Sequence, residues 1–187
     1  MSALKLPMNG CCSYCGYPFK AGTAWPRTCS RCENTTWLNP TPVTVLLVPT
    51  ETGLIGVRRS IEPGYGKLAL PGGYVDRFKH KTDGGEDSEE QQFARGVETW
   101  REAGSRELFE EANIVVASSD IRFVDLVSAP NGILLVYGMT PMYKNSELPP
   151  FTLNNEVSER VILTGIEELA FPIHTAMLRR YFACKPW

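Results

Sequence analysis

Short runs of apolar residues, bounded by glycine, proline, asparagine and serine, recur along much of the chain. Such runs between turn residues are typical of buried β-strands. The predicted strands are residues 43–48, 54–57, 67–70, 121–127, 133–143 and 156–163. A closing helix is predicted at about residues 174–182, after Pro172. Because the strands mostly precede and follow one central helix instead of alternating with helices, we predict an α/β fold whose mixed sheet is covered on both faces.

The central helix has sequence signals at both of its ends. Thr99 and Glu102 form a capping box, in which each side chain accepts a hydrogen bond from the backbone N–H of the other residue. Asn113 lies where the helix should stop, because asparagine tolerates the left-handed conformation that follows a helix. These signals predict a helix of roughly four turns.

Three carboxylates are concentrated in this helix. Glu107, Glu110 and Glu111 have the spacing i, i+3 and i+4, which places them on one face. Like charges this close destabilise a helix by about 0.2–0.5 kcal/mol per pair, so a compensating cation is expected. Clustered carboxylate oxygens suit Mg2+ or Mn2+, whereas the alternative is a solvated acidic face. The positions expected to pack against a core are Leu108, Phe109 and Ala112.

The carboxylates belong to a longer pattern. It consists of Pro71-Gly72-Gly73, then Glu98, seven residues, Arg106-Glu107-Leu108, one residue and Glu110-Glu111. This pattern resembles the Nudix box, whose spacing from Glu98 to Glu111 is met in full. Two positions depart from the family pattern: 24 residues lie between Gly73 and Glu98, far more than is usual, and Asn113 replaces a glycine. The long insert is polar and is expected to lie at the surface.

The resemblance implies a Nudix α/β/α sandwich that hydrolyses nucleoside diphosphates linked to another moiety, with Mg2+ or Mn2+ as the catalytic metal. It implies that Glu110 and Glu111 bind the metal with the backbone carbonyl of Gly72. Glu107 is then a metal ligand or the general base. Arg106 keeps its charge and can hold carboxylates bidentately, so it is expected to orient Glu107 or Glu98. The residues marked as catalytic are Glu98, Arg106, Glu107 and Glu110.

A further carboxylate lies in the last predicted strand. Alternation along residues 156–163 places Glu159 on one face with valines. A glutamate in such a core-facing row is unusual unless it is paired or bound to metal. The family often has a metal-binding glutamate just before such a strand, and we assign this role to Glu159, with Glu156 as the second choice. The alternative is a strand-edge glutamate that reaches water.

The front of the chain carries two CxxC pairs. They are formed by Cys12 and Cys15 and by Cys29 and Cys32, and 13 residues separate them. Thiolates in such tight turns can reach one tetrahedral ion, so the pairs predict a structural Zn2+ site of four thiolates, as in a zinc ribbon. The alternatives are a disulfide, free thiols, or a shifted register in which Cys11 replaces Cys12.

Composition suits one globular domain with a small appendage. The chain has 187 residues, of which 43% are apolar and 21% are charged. Pro40 and Pro42 mark the boundary, so we predict a zinc ribbon at residues 1–39 and a Nudix hydrolase domain at residues 40–187. A net charge of −2 provides no large basic surface, and a nucleic-acid partner is therefore not expected.

The same features bear on the compartment. No apolar stretch reaches the roughly 18 residues that a transmembrane helix needs, so no membrane association is expected. CxxC pairs without a signal peptide indicate a reducing compartment, and we expect a cytoplasmic protein.

The substrate prediction rests on resemblance. The ribbon, residues 39–40 and the box together resemble the NADH pyrophosphatase group and ribbon-bearing hydrolases of FAD and ADP-ribose. The proline-rich signature of the NADH group is missing at residues 127–132, and residues 168–174 look more like the FAD and ADP-ribose type. We therefore expect a small nucleotide substrate, with FAD or ADP-ribose favoured over NADH. Candidate ring-stacking residues are Tyr65, Tyr74 and Tyr137.

Two other classes of function stay open. One is a noncatalytic Nudix module that senses a nucleotide, although the intact glutamates argue against it. The other is an RNA-cap or RNA-end hydrolase, against which the weak basic character argues. Family members are often dimers, so a homodimer stays open as well. His174 near the start of the closing helix is expected to cap or pack instead of catalysing.

Overall fold

A computed structural model describes residues 10–77, 96–129 and 132–183. The chain divides into two compact units, Met1–Pro40 and Thr41–Trp187. Most of the long insert after Gly73 lies outside the described residues. Within the described part, no helix combines the length and the apolar character needed to cross a membrane.

The first unit contains a short antiparallel pair, β1 (Arg27–Thr28) and β2 (Thr35–Thr36). The strands described in the second unit are β3 (Thr41–Leu47), β4 (Leu54–Arg59), β5 (Leu68–Ala69), β6 (Gly72–Tyr74), β7 (Arg122–Ser128), β8 (Ile133–Met139) and β9 (Val157–Leu163). Its helices are α1 (Trp100–Ala112) and α2 (Pro172–Ala183). The predicted strand 133–143 ends early because Pro141 has no N–H to continue the ladder.

The strands of the second unit form two sheets. One has the order β6-β3-β8-β7, in which β3 and β8 are parallel and the other neighbours are antiparallel. The other has the order β5-β4-β9 and is antiparallel throughout. The arrangement is therefore mixed, as the order of the predicted elements indicates.

Burial along β3 shows that both faces of the strands are covered. Val45 and Leu47 belong to one cluster of buried side chains, and Leu46 and Val48 belong to a second. Strand alternation explains this division, because successive side chains point to opposite faces. The first cluster includes Met177, Leu178 and Tyr181 of α2, and the second includes Leu108 and Ala112 of α1. The predicted α/β fold with cover on both faces is confirmed.

Helix α1 begins and ends as its sequence predicts. The Thr99 side chain accepts from the Glu102 N–H, and the Glu102 side chain accepts from the Thr99 N–H. Asn113 adopts the left-handed conformation, with φ 56°. The Arg160 guanidinium donates to the Ala112 carbonyl at 2.7 Å, which satisfies a free acceptor at the end of the helix.

The expectation that Phe109 packs in the core is wrong, because this residue is 54% exposed. The buried stripe of α1 runs through Ala103, Gly104, Glu107, Leu108, Glu111 and Ala112. Each helical residue turns the side-chain direction by about 100°, so position 109 lies beyond the edge of that stripe.

Candidate active site and zinc site

The backbone of β6 approaches α1 closely enough to exclude side chains. At Gly73, an added Cβ would lie 2.3 Å from Glu107 Oε1. At Gly72, φ is +151° and an added Cβ would lie 2.2 Å from the Thr44 carbonyl oxygen. Glycine is therefore required at position 72, a side chain at position 73 would displace the Glu107 carboxylate, and the helix carboxylates lie directly against the strand.

Arg106 joins three of the predicted carboxylates. Its Nε donates to Glu98 Oε1 at 2.9 Å, and its Nη2 donates to Glu98 Oε2 at 3.1 Å. Its Nη1 donates to Glu107 Oε1 at 2.8 Å and to Glu110 Oε2 at 3.1 Å. Nη2 also donates to the Tyr74 carbonyl at 3.0 Å, which ties the group to β6. Bidentate contact of this kind fixes the orientation of a carboxylate.

Glu98 is buried although it precedes the helix. Its residue is 5% exposed, and its Oε2 also accepts from the Asp76 backbone N–H at 2.9 Å. Both carboxylate oxygens are thus bound, one by Arg106 and the other by Arg106 and the chain after β6. This arrangement suits a positioning role for Glu98, because little of its carboxylate remains free for substrate.

Glu107 and Glu111 lie one turn apart on the buried side of α1, with residues 9% and 6% exposed. Burial raises the pKa of Glu111 to about 8, although the Gly72 N–H donates to its Oε2 at 2.8 Å. Burial also raises the pKa of Glu107, and the Arg106 charge opposes this change. For Arg106, the hydrogen bond with Glu98 and the charge of Glu107 outweigh burial and raise the pKa above its ordinary value. Glu110 is more exposed, at 52% of its side chain.

This donor set fits a divalent cation. Two buried carboxylates with raised pKa values gain stability from added positive charge. Arg106 and Arg59 bring positive charge to Glu107 and Glu111 respectively, and the charges of Glu110 and Glu156 oppose them. Among the described residues, the cysteines form the one group whose ligand atoms are already close enough to share a metal ion. The carboxylates of α1 accept hydrogen bonds from Arg106 and from the Gly72 N–H instead.

The structure separates the two candidate glutamates near β9. Glu159 forms an ion pair with Arg58 at 2.7 Å, and half of its side chain is exposed. The Glu159 carboxylate is therefore paired near the surface and is not buried in the core. The charge of Glu156, by contrast, raises the pKa of both Glu107 and Glu111. Glu156, the second choice from the sequence, donates its backbone N–H to Asn154 Oδ1 at 2.8 Å, and the Asn154 amide donates to the Glu110 carbonyl of α1 at 2.6 Å.

Arg59 lies near the site although the sequence analysis did not identify it, whereas His174 behaves as the sequence predicts. Arg59 lies at the end of β4, and its positive charge acts against the rise that burial causes in the pKa of Glu111. Its guanidinium lies 5.1 Å from the centre of the Phe171 ring. No sequence motif includes Arg59, the last residue of β4. His174 is buried against Phe171, and burial lowers its pKa to about 4, so the imidazole is neutral and packs as expected.

The three candidate tyrosines have different environments. Tyr137 is fully buried, and its hydroxyl donates to the Ile173 carbonyl at 3.2 Å, so its ring is not free to stack on a ligand. Tyr74 and Tyr65 are 57% and 68% exposed.

The four predicted zinc ligands converge in the first unit. The Sγ atoms of Cys12, Cys15, Cys29 and Cys32 all lie within 4.8 Å of one another. The Cys12–Cys32 and Cys15–Cys29 sulfur distances are both 3.7 Å. Four sulfurs at about 2.3 Å from one tetrahedral ion lie about 3.8 Å apart, so the spacing fits zinc. Cys11 is not a member of the group.

The two CxxC turns are built alike. The Tyr14 and Arg31 backbone N–H groups donate to Cys12 Sγ and Cys29 Sγ, each at 3.4 Å. Gly16 and Glu33 follow the second cysteine of each pair, and both have left-handed backbones, with φ 69° and 60°. The two turns therefore present their sulfur atoms in the same way, as ligands of one shared ion.

Comparison with known proteins supports the fold. No protein-family model matches the sequence, and no curated protein matches it. A Nudix hydrolase from Nitrosomonas europaea is similar in structure, with a TM-score of 0.59 and 23% identity, over 92% of this chain and 90% of that one. A MutT protein from Methanosarcina mazei Go1 gives 0.53 and 18%, over 79% of this chain and 96% of that one. A MutT/Nudix family protein from Enterococcus faecalis gives 0.51 and 18%, over 70% and 46%. The chain therefore has the fold of the Nudix hydrolases.

Proposed function

We propose that this protein is a metal-dependent hydrolase that cleaves the pyrophosphate bond of a dinucleotide or another nucleoside-diphosphate derivative. The observation that carries the proposal is the set of contacts through which Arg106 holds Glu98, Glu107 and Glu110 against β6, beside the buried Glu111. A sensing module has no need of such an arrangement, whereas a hydrolase needs carboxylates held in fixed orientations.

The residues divide the work as follows. Glu110, Glu111 and the Gly72 carbonyl would hold Mg2+ or Mn2+, with Glu156 favoured over Glu159 as a further ligand. The bound metal would neutralise pyrophosphate charge and lower the pKa of an attacking water. Since the pKa of Glu111 is raised to about 8, metal binding at neutral pH is expected to release a proton from it.

Arg106 and Glu98 act by positioning. Glu98 accepts two hydrogen bonds from Arg106, and Arg106 in turn fixes one oxygen of Glu107. We assign the general base to Glu107, because its carboxylate is buried, oriented and raised in pKa, which makes it a better proton acceptor than an ordinary glutamate.

The first unit is proposed to bind one zinc ion through its four cysteines. A closed shell of four thiolates leaves no open position for water, so this zinc supports the fold of the ribbon and takes no part in hydrolysis.

FAD and ADP-ribose are the favoured substrates. Support comes from the missing proline-rich signature at residues 127–132 and from the character of residues 168–174. The expected products are two monophosphates, AMP with FMN or AMP with ribose 5-phosphate.

The test is product analysis by chromatography with Mg2+ or Mn2+ on a panel of FAD, ADP-ribose, NADH, nucleoside triphosphates and capped RNA. The proposal expects cleavage of a dinucleotide or ADP-ribose that stops when the metal is withheld. Glu110→Gln and Glu111→Gln are expected to lower kcat on the order of 10²-fold or more while the fold survives. Release of pyrophosphate from triphosphates alone, cleavage of capped RNA alone, or binding without turnover would each favour another function.

A further inference from the structure

Residues 60–66, which lie between β4 and β5, form a loop that is closed by backbone hydrogen bonds. The Arg59 N–H donates to the Lys67 carbonyl at 3.0 Å, and the Gly66 N–H donates to the Arg59 carbonyl at 2.9 Å. The Lys67 N–H, directly after the loop, donates to the Gly64 carbonyl at 3.0 Å. The loop is therefore a compact turn with a defined backbone.

Two arginines hold the same loop through their side chains. Arg59 Nε donates to the Pro63 carbonyl at 2.8 Å, and Arg58 Nη1 donates to the Gly66 carbonyl at 3.0 Å. These carbonyls lie on either side of Tyr65 in the sequence. Charge-assisted hydrogen bonds at both flanks restrict the backbone that carries the Tyr65 ring.

The loop lies at the edge of the carboxylates. Its first N–H, that of Ser60, donates to the Glu156 carbonyl at 2.7 Å, and the Glu156 N–H donates to Asn154 Oδ1 at 2.8 Å. The Asn154 side-chain amide in turn donates to the Glu110 carbonyl of α1 at 2.6 Å. These hydrogen bonds connect the base of the loop to the helix that carries the proposed site of hydrolysis.

Tyr65 has no packing role that explains a tyrosine. It is 68% exposed and belongs to neither cluster of buried side chains. An exposed aromatic ring on a restrained loop can stack on a flat ligand at a low cost in conformational entropy.

Tyr74 is the other exposed candidate for ring stacking, and its position on β6 argues against this role. Gly73 faces Glu107, since a Cβ there would meet the Glu107 carboxylate. Alternation along a strand then directs the Tyr74 side chain to the face opposite Glu107. We propose that Tyr65 is a specificity-determining residue, whose ring stacks on the base or other aromatic ring of the substrate. This inference rests on the proposed hydrolase function and adds the class of substrate moiety that the site selects.

The first test is kinetic. Tyr65→Ala is expected to raise KM for FAD and ADP-ribose about tenfold, equivalent to about 1.4 kcal/mol, with kcat changed less than twofold. Tyr65→Phe keeps the ring and is expected to restore KM. KM for 5-phosphoribosyl 1-pyrophosphate, a pyrophosphate ester without an aromatic ring, should not change. Tyr14→Ala, at a position 64% exposed in the first unit, is the matched control.

The second test needs no turnover. Calorimetry should show AMP binding that Tyr65→Ala weakens about tenfold and Tyr65→Phe retains, whereas any binding of ribose 5-phosphate is unaffected. If the wild-type protein cleaves nothing, the hydrolase proposal fails, and AMP binding still decides the role of Tyr65. Absence of AMP binding, an equal loss for ring-free ligands, or an effect of Tyr74→Ala without one of Tyr65→Ala would overturn the inference.

Discussion

Replacing Arg106 with glutamine would leave several carboxylates without their main partner. The Arg106 side chain is 17% exposed, and those of Glu98 and Glu107 are 4% and 11% exposed. Removing one partner of a buried ion pair costs about 3–5 kcal/mol, because the remaining charge stays buried without compensation. We therefore expect Arg106→Gln to lower the free energy of unfolding of the metal-free protein by about that amount.

The chain offers an exposed ion pair for comparison. Arg58 and Glu159 are paired at 2.7 Å, but their side chains are 39% and 50% exposed. Exposed pairs contribute about 0–1 kcal/mol, so Glu159→Gln is expected to change stability by no more than that. Arg106→Gln removes guanidinium contacts with Glu98, Glu107 and Glu110, whereas Glu159→Gln removes one exposed contact, so the comparison sets a largely buried network against an exposed pair.

Urea unfolding in buffer without Mg2+ or Mn2+, followed by tryptophan fluorescence, measures both changes. The double variant Arg106→Gln, Glu98→Gln also removes one of the two buried carboxylate charges and is expected to recover part of the loss. The assignment of Arg106 as charge partner is refuted if Arg106→Gln lowers the free energy of unfolding no more than Glu159→Gln does. It is also refuted if the double variant is less stable than Arg106→Gln by the full amount that a second, independent change would cause.

Two further predictions concern the glycines and the cysteines. Gly73→Ala should lower kcat at least about tenfold with little loss of stability, because the clash is with the movable end of Glu107. Gly72→Ala should destabilise the fold, because its clash is with the Thr44 backbone; circular dichroism and activity separate the two, and the reverse pattern would contradict the reasoning. Elemental analysis of protein purified without chelator should find one zinc per chain. Cys29→Ser should lose this zinc and Cys11→Ser should keep it. Zinc loss from Cys11→Ser would instead indicate that Cys11 replaces Cys12 as a ligand.

The helix that carries the carboxylates was predictable because its signals are local. The capping box at Thr99 and the left-handed Asn113 act within a few residues, so neither depends on the rest of the fold. The CxxC turns are local in the same sense. The contact of Arg106 with Glu98 joins residues eight positions apart, and resemblance to a known spacing was needed to anticipate it.

Contacts between distant segments were not predictable from periodicity. The charge of Arg59 acts on Glu111 because β4 and α1 contribute to one buried cluster, and nothing in the local sequence indicates this. The same holds for the loop at residues 60–66, whose position depends on a hydrogen bond between Ser60 and Glu156.

The misplacement of Glu159 has a specific physical cause. The sequence argument assumed uninterrupted alternation along β9, which would put Val157, Glu159, Val161 and Leu163 on one face. In the structure, Arg58 pairs with Glu159 and Arg59 pairs with Val157, so Ser158 is an extra residue and the strand bulges there. A bulge reverses the side-chain direction on its two sides, and Val157 accordingly joins one buried cluster whereas Val161 and Leu163 join the other. Bulges are common next to active sites, where they change the direction of a side chain or end strand pairing. Beyond the bulge, Glu159 shares the face of Val161 and Leu163, which is opposite to the α1 face that Val157 joins, and it pairs with Arg58.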